Sequence, residues 1–145
     1  QFILLILGEG EKKSAIHGLI KKRGIENKVF LLGYKKNIYS YMQKSSAFVL
    51  SSLWEEVGFV IVEAALCNSF VISSNCPNGP KEFLDNGKRG ILFESNQRKA
   101  LFNSLKNFSK MDKNKIFENK LRLKKEAKKY TIFRHYIELN KILEL

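Results

Sequence analysis

Cysteine is nearly absent, with only Cys67 and Cys76 in the chain. They match no metal-ligand spacing and no disulfide framework, so reduced thiols in a cytoplasmic compartment are expected. No apolar run reaches the roughly 18 residues that a membrane-spanning helix needs. The opening run, Phe2 to Leu7, is too short for a secretory signal and has no basic residues ahead of it. There is no Asp-x-Asp pair to hold a catalytic divalent ion, so no metal site is expected. The aromatic and zinc motifs of nucleic-acid binders are missing too, and no nucleic-acid partner is expected. His17 and His135 stand without a second ligand or base beside them. Acidic residues are outnumbered, 14 against 26 Lys and Arg, for a formal net charge of +12. That excess reads first as solvated lysine-rich faces; the other reading is an anionic partner, a membrane surface with a lipid-linked acceptor or, against the missing motifs, nucleic acid.

What is present describes a globular protein: 44% apolar and 28% charged residues over 145 positions, the length of one domain. Because the chain opens at Gln1, directly in a strand-like run, it is expected to be a fragment of a longer protein. Short continuous apolar runs, the pattern of strands buried on both faces, fall at Phe2 to Leu7, Val29 to Leu32, Ala47 to Leu50 and Phe70 to Ser73. Gly90 to Phe93 adds a last short strand. Between the first two runs, Glu11 to Arg23 reads as an amphipathic helix with Ala15, Ile16, Leu19 and Ile20 on one face, stopped by Gly24. Asn37 is a candidate cap for a short helix through Lys44 whose inner face is Ile38, Tyr41 and Met42. Pro80 opens another short helix, Lys81 to Leu84, and Asn86-Gly87 marks a turn. Strands alternating with helices over short loops predict an α/β fold with a parallel sheet and right-handed crossovers over about residues 1–93. Helices follow over about residues 95–145. Ser95 is expected to cap one from about Gln97 to Phe108, and Asp112 a second from Lys113 to about Lys129. Ile116, Leu123, Ala127 and Tyr130 form the inner stripe of the second; Ile132, Phe133, Tyr136, Ile137, Ile142 and Leu143 mark a third.

The most informative stretch runs from Ser51 to Ala65. It leaves the end of a strand, turns through a polar loop and enters an apolar helix, the place where open α/β sheets bind ligands. The first amides of a helix lack partners within it and favour an anion. Gly58, without a Cβ, lets the backbone come close. Glu55 and Glu63 bracket the turn. With a helix starting near Gly58, Glu63 lies about 7–8 Å along it, at ~1.5 Å per residue. That is the step from a diphosphate to the hydroxyls of its ribose, which a carboxylate accepts well.

This Glu55-x7-Glu63 pattern is followed by Cys76-Pro77-Asn78-Gly79-Pro80-Lys81-Glu82 and preceded by Gly8-Glu9-Gly10 and Phe30-Leu31-Leu32-Gly33. Together they resemble the C-terminal, donor-binding domain of family 4 glycosyltransferases of the GT-B fold, over roughly Ile3 to Phe93. The resemblance implies a single Rossmann-like three-layer α/β/α domain, the C-terminal half of a GT-B fold, with the N-terminal acceptor domain and an opening strand outside this sequence. It implies a donor site built from Gly8, Gly10, Gly33, Tyr34, Glu55, Gly58, Phe59, Val60, Glu63, Gly79 and Pro80. In it the amides of Gly58, Phe59 and Val60 hold the diphosphate and Glu63 the ribose, while Glu55 is the catalytic carboxylate orienting the sugar. Tyr34 is placed either to stack on the base or to cap its strand, and Gly8-Glu9-Gly10 is either part of the cleft or a plain turn. The loop through Gly79 and Pro80 rims the sugar pocket, with Glu82 fixing it. Trp54 is expected first to pack beneath the loop; the other reading has it line the sugar pocket. Where the family often has glycine after the first glutamate, this chain has Glu56.

The implied reaction is retaining transfer from a UDP- or GDP-sugar, with no cofactor, to a glycan or lipid-linked acceptor held by the N-terminal domain. It would serve polysaccharide, lipopolysaccharide or glycoconjugate biosynthesis, in the cytoplasm or at the inner face of a membrane. The alternative is a nucleotide-sugar-binding module without catalysis, or a GT-B relative such as a sugar-nucleotide epimerase.

Overall fold

The computed structural model describes residues 2–143. They fall into two compact units that divide between residues 38 and 39.

The first unit holds β1 (Leu4–Leu7), α1 (Lys13–Arg23) and β2 (Val29–Gly33). The strands pair in parallel, Leu4 opposite Val29 and Leu7 opposite Gly33. Gly24 ends α1 in the left-handed conformation that a Cβ makes costly, and its amide reaches back to the last turn. The expected helix face is only partly covered: Ile20 is buried but Leu19 is 52% exposed. Nor are these strands buried on both faces, as their apolar runs predicted. Leu4, Leu5 and Phe30 remain 40–48% exposed, because the sheet has only two strands here and α1 is the unit's sole helix.

The second unit begins with α2 (Tyr39–Lys44), β3 (Ala47–Leu50), α3 (Phe59–Leu66), β4 (Phe70–Ser74), α4 (Pro80–Phe83) and β5 (Ile91–Phe93). It continues into α5 (Arg98–Ser109), α6 (Lys113–Ala127), a 3-10 turn (Lys128–Tyr130) and α7 (Ile132–Leu143). Its sheet is parallel in the order β3-β4-β5, with Val49 opposite Ile72 and Ile72 opposite Ile91. As the central strand, β4 is buried along its whole length. On one face Phe70, Ile72 and Phe93 meet Phe108 of α5, the Phe70 and Phe108 rings lying 4.9 Å apart. Ile61, Ala64 and Ala65 of α3 and Leu123 and Ala127 of α6 are buried to 1% exposure or less. Burying a side chain such as Ile72 contributes about 1.5–3 kcal/mol.

Local signals set the ends of these elements with two exceptions. Asp112 caps α6 as expected, its Oδ1 accepting from the amides of Asn114 and Lys115. Ser95 does not cap α5. That helix starts after Gln97, whose side chain makes no cap, and the Ser95 amide donates to Asn75 Oδ1 at 2.9 Å. Ser95 is thereby held to the loop after β4, too early to serve the helix. Asn37 stands one residue further out than a cap, because α2 begins only at Tyr39.

Candidate donor site

The loop between β3 and α3 carries Glu55, and α3 itself carries Glu63. Gly58 occupies the position before α3 with φ 70° and ψ 42°, a left-handed turn that glycine adopts without strain. It aims the chain so that the Phe59 and Val60 amides open the helix. Glu56 is not among the residues with positive φ, so the turn needs no glycine there; Gly58 supplies the reversal.

Glu55 is half-buried and its Oε1 accepts a 2.6 Å hydrogen bond from Ser52 Oγ. The Ser52 carbonyl in turn accepts from the fully buried Ser74 Oγ at 2.7 Å and from Ser95 Oγ at 3.4 Å. Asn75 links the next strand end, donating to Glu94 at 2.8 Å. The ends of β3, β4 and β5 are therefore laced together beneath Glu55. This serine scaffold was not foreseen; a Ser three residues before Glu55 is a weak signal in a sequence, and Ser74 joins it only through the sheet register.

Glu63 projects from α3 and makes no ion pair among the described residues; its Oε1 accepts from the Tyr39 hydroxyl at 3.3 Å. The Glu63 charge, then burial, then that hydrogen bond push the Tyr39 phenol above its ordinary pKa, since a phenolate would face a carboxylate. Burial and the Glu63 charge likewise raise the Cys67 thiol.

The loop after β4 packs on the loop after β3. Gly79 has φ 106°, and a Cβ there would run into the Val57 carbonyl. Pro80 is buried at the start of α4. Glu56, Val57, Asn78, Gly79, Glu82 and Tyr130 line a cavity of about 350 Å³, with Val62 and Phe83. Tyr130 stands edge-on to Phe83, ring centroids 5.4 Å apart. Glu82, expected to fix the loop, is among the residues that line this cavity. Trp54 does not pack beneath the loop: it is 63% exposed, on a segment that runs along the surface with Leu53, Glu56 and Val57 also exposed.

The first unit carries the remaining positions. Glu9, between Gly8 and Gly10, binds Lys13 Nζ at 2.9 Å and accepts from the Tyr34 amide at 3.3 Å. Lys13 holds the Glu9 carboxyl below its ordinary pKa, with the Tyr34 amide helping. The glycine loop and the Gly33–Tyr34 turn are thereby tied to each other. The Tyr34 ring is 75% exposed and leaves its flat face to solvent. No group of three or more metal-ligating side chains occurs among the described residues.

Parallel strands alternating with helices, with a glycine opening the helix after β3, place the chain in the α/β class. The chain belongs to the glycosyl transferases group 1 family, whose model matches residues 1–130. It is 44% identical over 81 residues to an uncharacterised glycosyltransferase of Methanocaldococcus jannaschii, covering 56% of this chain and 20% of that protein. It is 34% identical over 125 residues to an N-acetylgalactosaminyltransferase of Campylobacter jejuni that acts on a diphospho-undecaprenol-linked sugar, covering 86% of this chain and 34% of the relative. Among solved structures it is similar to HepE of Anabaena in complex with UDP, with a TM-score of 0.86 at 22% identity, over 99% of this chain and 41% of that one. That similarity establishes the shared fold. The chain spans about a third or less of the length of those two curated relatives.

Proposed function

We propose that this chain is the donor-binding part of a retaining, family 4 type glycosyltransferase. It binds a nucleoside-diphosphate sugar and passes the sugar to a glycan or lipid-linked acceptor held by an N-terminal domain. The observation that carries this reading is the amino end of α3, opened by left-handed Gly58 and flanked by Glu55 and Glu63. The free amides at such an end stabilise a diphosphate and the charge that grows on it as it departs. Glu63, already accepting one hydroxyl from Tyr39, offers its carboxylate to ribose hydroxyls. Glu55, held by Ser52, faces the sugar side of the phosphates and orients the ring.

In the reaction the bond from the anomeric carbon to the diphosphate oxygen breaks and a bond to the acceptor oxygen forms. The acceptor's proton goes to the departing phosphate. Glu55 acts by orientation and charge rather than as a nucleophile. In a retaining glycosidase the two carboxylates approach to about 5 Å across one bond; here the second glutamate is committed to ribose. Gly79 and Pro80 close the rim of the sugar pocket. The Anabaena neighbour has also been solved with UDP-glucose, which favours a uridine donor.

The test is ligand-observed NMR on the full-length protein with UDP, GDP and ADP, repeated with Glu63→Ala. One nucleotide binds and loses roughly tenfold in affinity in the variant, the cost of one charged hydrogen-bond acceptor. A folded protein that ignores all three nucleotides overturns the reading.

A further inference from the structure

The outer face of α6 is built for a surface rather than for water. Lys113, Phe117, Leu121, Lys124 and Lys128 follow at spacings of four, four, three and four, which puts them on one stripe of a helix and its continuing turn. The adjoining stripe, with Leu123 and Ala127, is buried in the second unit. Phe117 is 57% exposed and Leu121 50% exposed, with basic side chains above and below. None of the three stripe lysines has an ion-pair partner among the described residues. The acids of α6 lie off the stripe and are engaged: Glu118 with Arg122 at 3.6 Å, Glu126 with Arg89 and Lys129. The preceding helix repeats the device. In α5, Arg98, Phe102 and Lys106 are one turn apart, Phe102 is 63% exposed, and the helix contains no acidic residue.

We propose that the α6 stripe is a docking surface for an anionic lipid bilayer, with Phe117 and Leu121 entering the headgroup boundary and Lys113, Lys124 and Lys128 meeting lipid phosphates. An amphipathic helix with apolar residues flanked by lysine binds in this way, by buried apolar area plus attraction to negative lipid. Phosphate attraction alone would also suit a nucleic acid. A phenyl and an isobutyl group standing out between the lysines favour a bilayer, because a nucleic-acid backbone offers them no apolar volume. The inference does not depend on nucleotide binding and stands or falls separately from the donor-site reading.

The experiment is vesicle flotation of the full-length protein at moderate salt. Vesicles are phosphatidylcholine alone, or phosphatidylcholine with about one-third phosphatidylglycerol, a typical anionic fraction. Binding to the anionic vesicles is expected, with little to the neutral ones. Each juxtamembrane lysine contributes roughly fivefold, so Lys113→Gln with Lys124→Gln and Lys128→Gln should cost about a hundredfold. Phe117→Ser with Leu121→Ser should cost at least about tenfold while leaving circular dichroism and UDP binding unchanged, since both side chains are exposed. The control removes the same charge from α1 and its flank, Lys21→Gln with Lys22→Gln and Lys28→Gln, and should retain most of the binding. Equal recovery on both vesicle types overturns the proposal. So does an equal loss in the control, which would reduce the effect to net charge. Binding to a duplex oligonucleotide that survives Phe117→Ser with Leu121→Ser, with no vesicle binding, would reassign the stripe to nucleic acid.

Discussion

Two strands of similar composition have very different fates. Leu4–Leu7 and Phe70–Ser74 are both short, apolar and parallel-paired, yet the first is half-exposed and the second fully buried. The difference is the company each keeps. β4 lies between β3 and β5, with α5 packed on the face of Phe70 and Ile72. β1 pairs only with β2 among the described residues and shares its unit with one helix. An apolar run reports what a strand can bury, while its neighbours decide what it does bury. The proposed site residues include positions in each unit. Glu55, Gly58, Glu63 and Gly79 stand on the buried unit, where β4 and the serine scaffold hold the loops.

The largest test of that contrast is truncation within the strands. Ile72→Ala should destabilise by about 2–5 kcal/mol in a urea titration, because it leaves a cavity in a packed core. Leu4→Ala, already 48% exposed, should cost less than about half of that. Equal costs would break the comparison. Hydrogen exchange should agree, with β4 amides protected longest and β1 amides opening first.

Gly79→Ala comes next. It forces a Cβ toward the Val57 carbonyl at a φ that L side chains rarely adopt, for a cost of about 1–3 kcal/mol and a weaker nucleotide response. Gly87→Ala, also at positive φ but with open space around its Cβ, separates backbone strain from the clash. A Gly79→Ala protein no less stable than Gly87→Ala would show that the two loops are free to part.

Ser52→Ala removes the donor to Glu55. About 1 kcal/mol of stability should be lost, and on the proposed role of Glu55 toward the sugar the effect should fall on turnover more than on nucleotide affinity. A change in nucleotide affinity alone would contradict the roles assigned to the two glutamates.

The smallest effect is spectroscopic. Ionising Tyr39 sets a second negative charge against Glu63, so its phenol should titrate at higher pH than an ordinary tyrosine in an absorbance titration. Glu63→Gln should bring it back down. Because Tyr39 keeps its proton below that pH, the Tyr39–Glu63 bond is present throughout the neutral range and is lost only on the alkaline side.

Much of this was legible in the residues. The α/β alternation, the strand at Ala47–Leu50, the helix starting at Gly58, the Asp112 cap and the inner stripe of α6 all appear where local pattern placed them. Patterns of this kind depend on contacts a few residues apart. The misreadings share the opposite cause. Ser95 looked like a cap, but the helix begins only after Gln97, and the Ser95 hydroxyl is turned to the Ser52 carbonyl that the fold brings alongside. Trp54 looked like a packing residue, but its loop runs along the surface and leaves it exposed.

The sequence by itself determined which segments become strands and helices, and that two glutamates would bracket a glycine at a helix start. Periodicity, glycine's freedom at positive φ and the reach of a capping carboxylate are properties of short stretches of chain. The tertiary structure alone decided that Ser74 would support Ser52 beneath Glu55, that Tyr39 would meet Glu63, and that β1 would stay half-open while β4 is sealed. Those outcomes require residues some twenty positions apart to share one place, and only the register of the sheet and the packing of its helices puts them there.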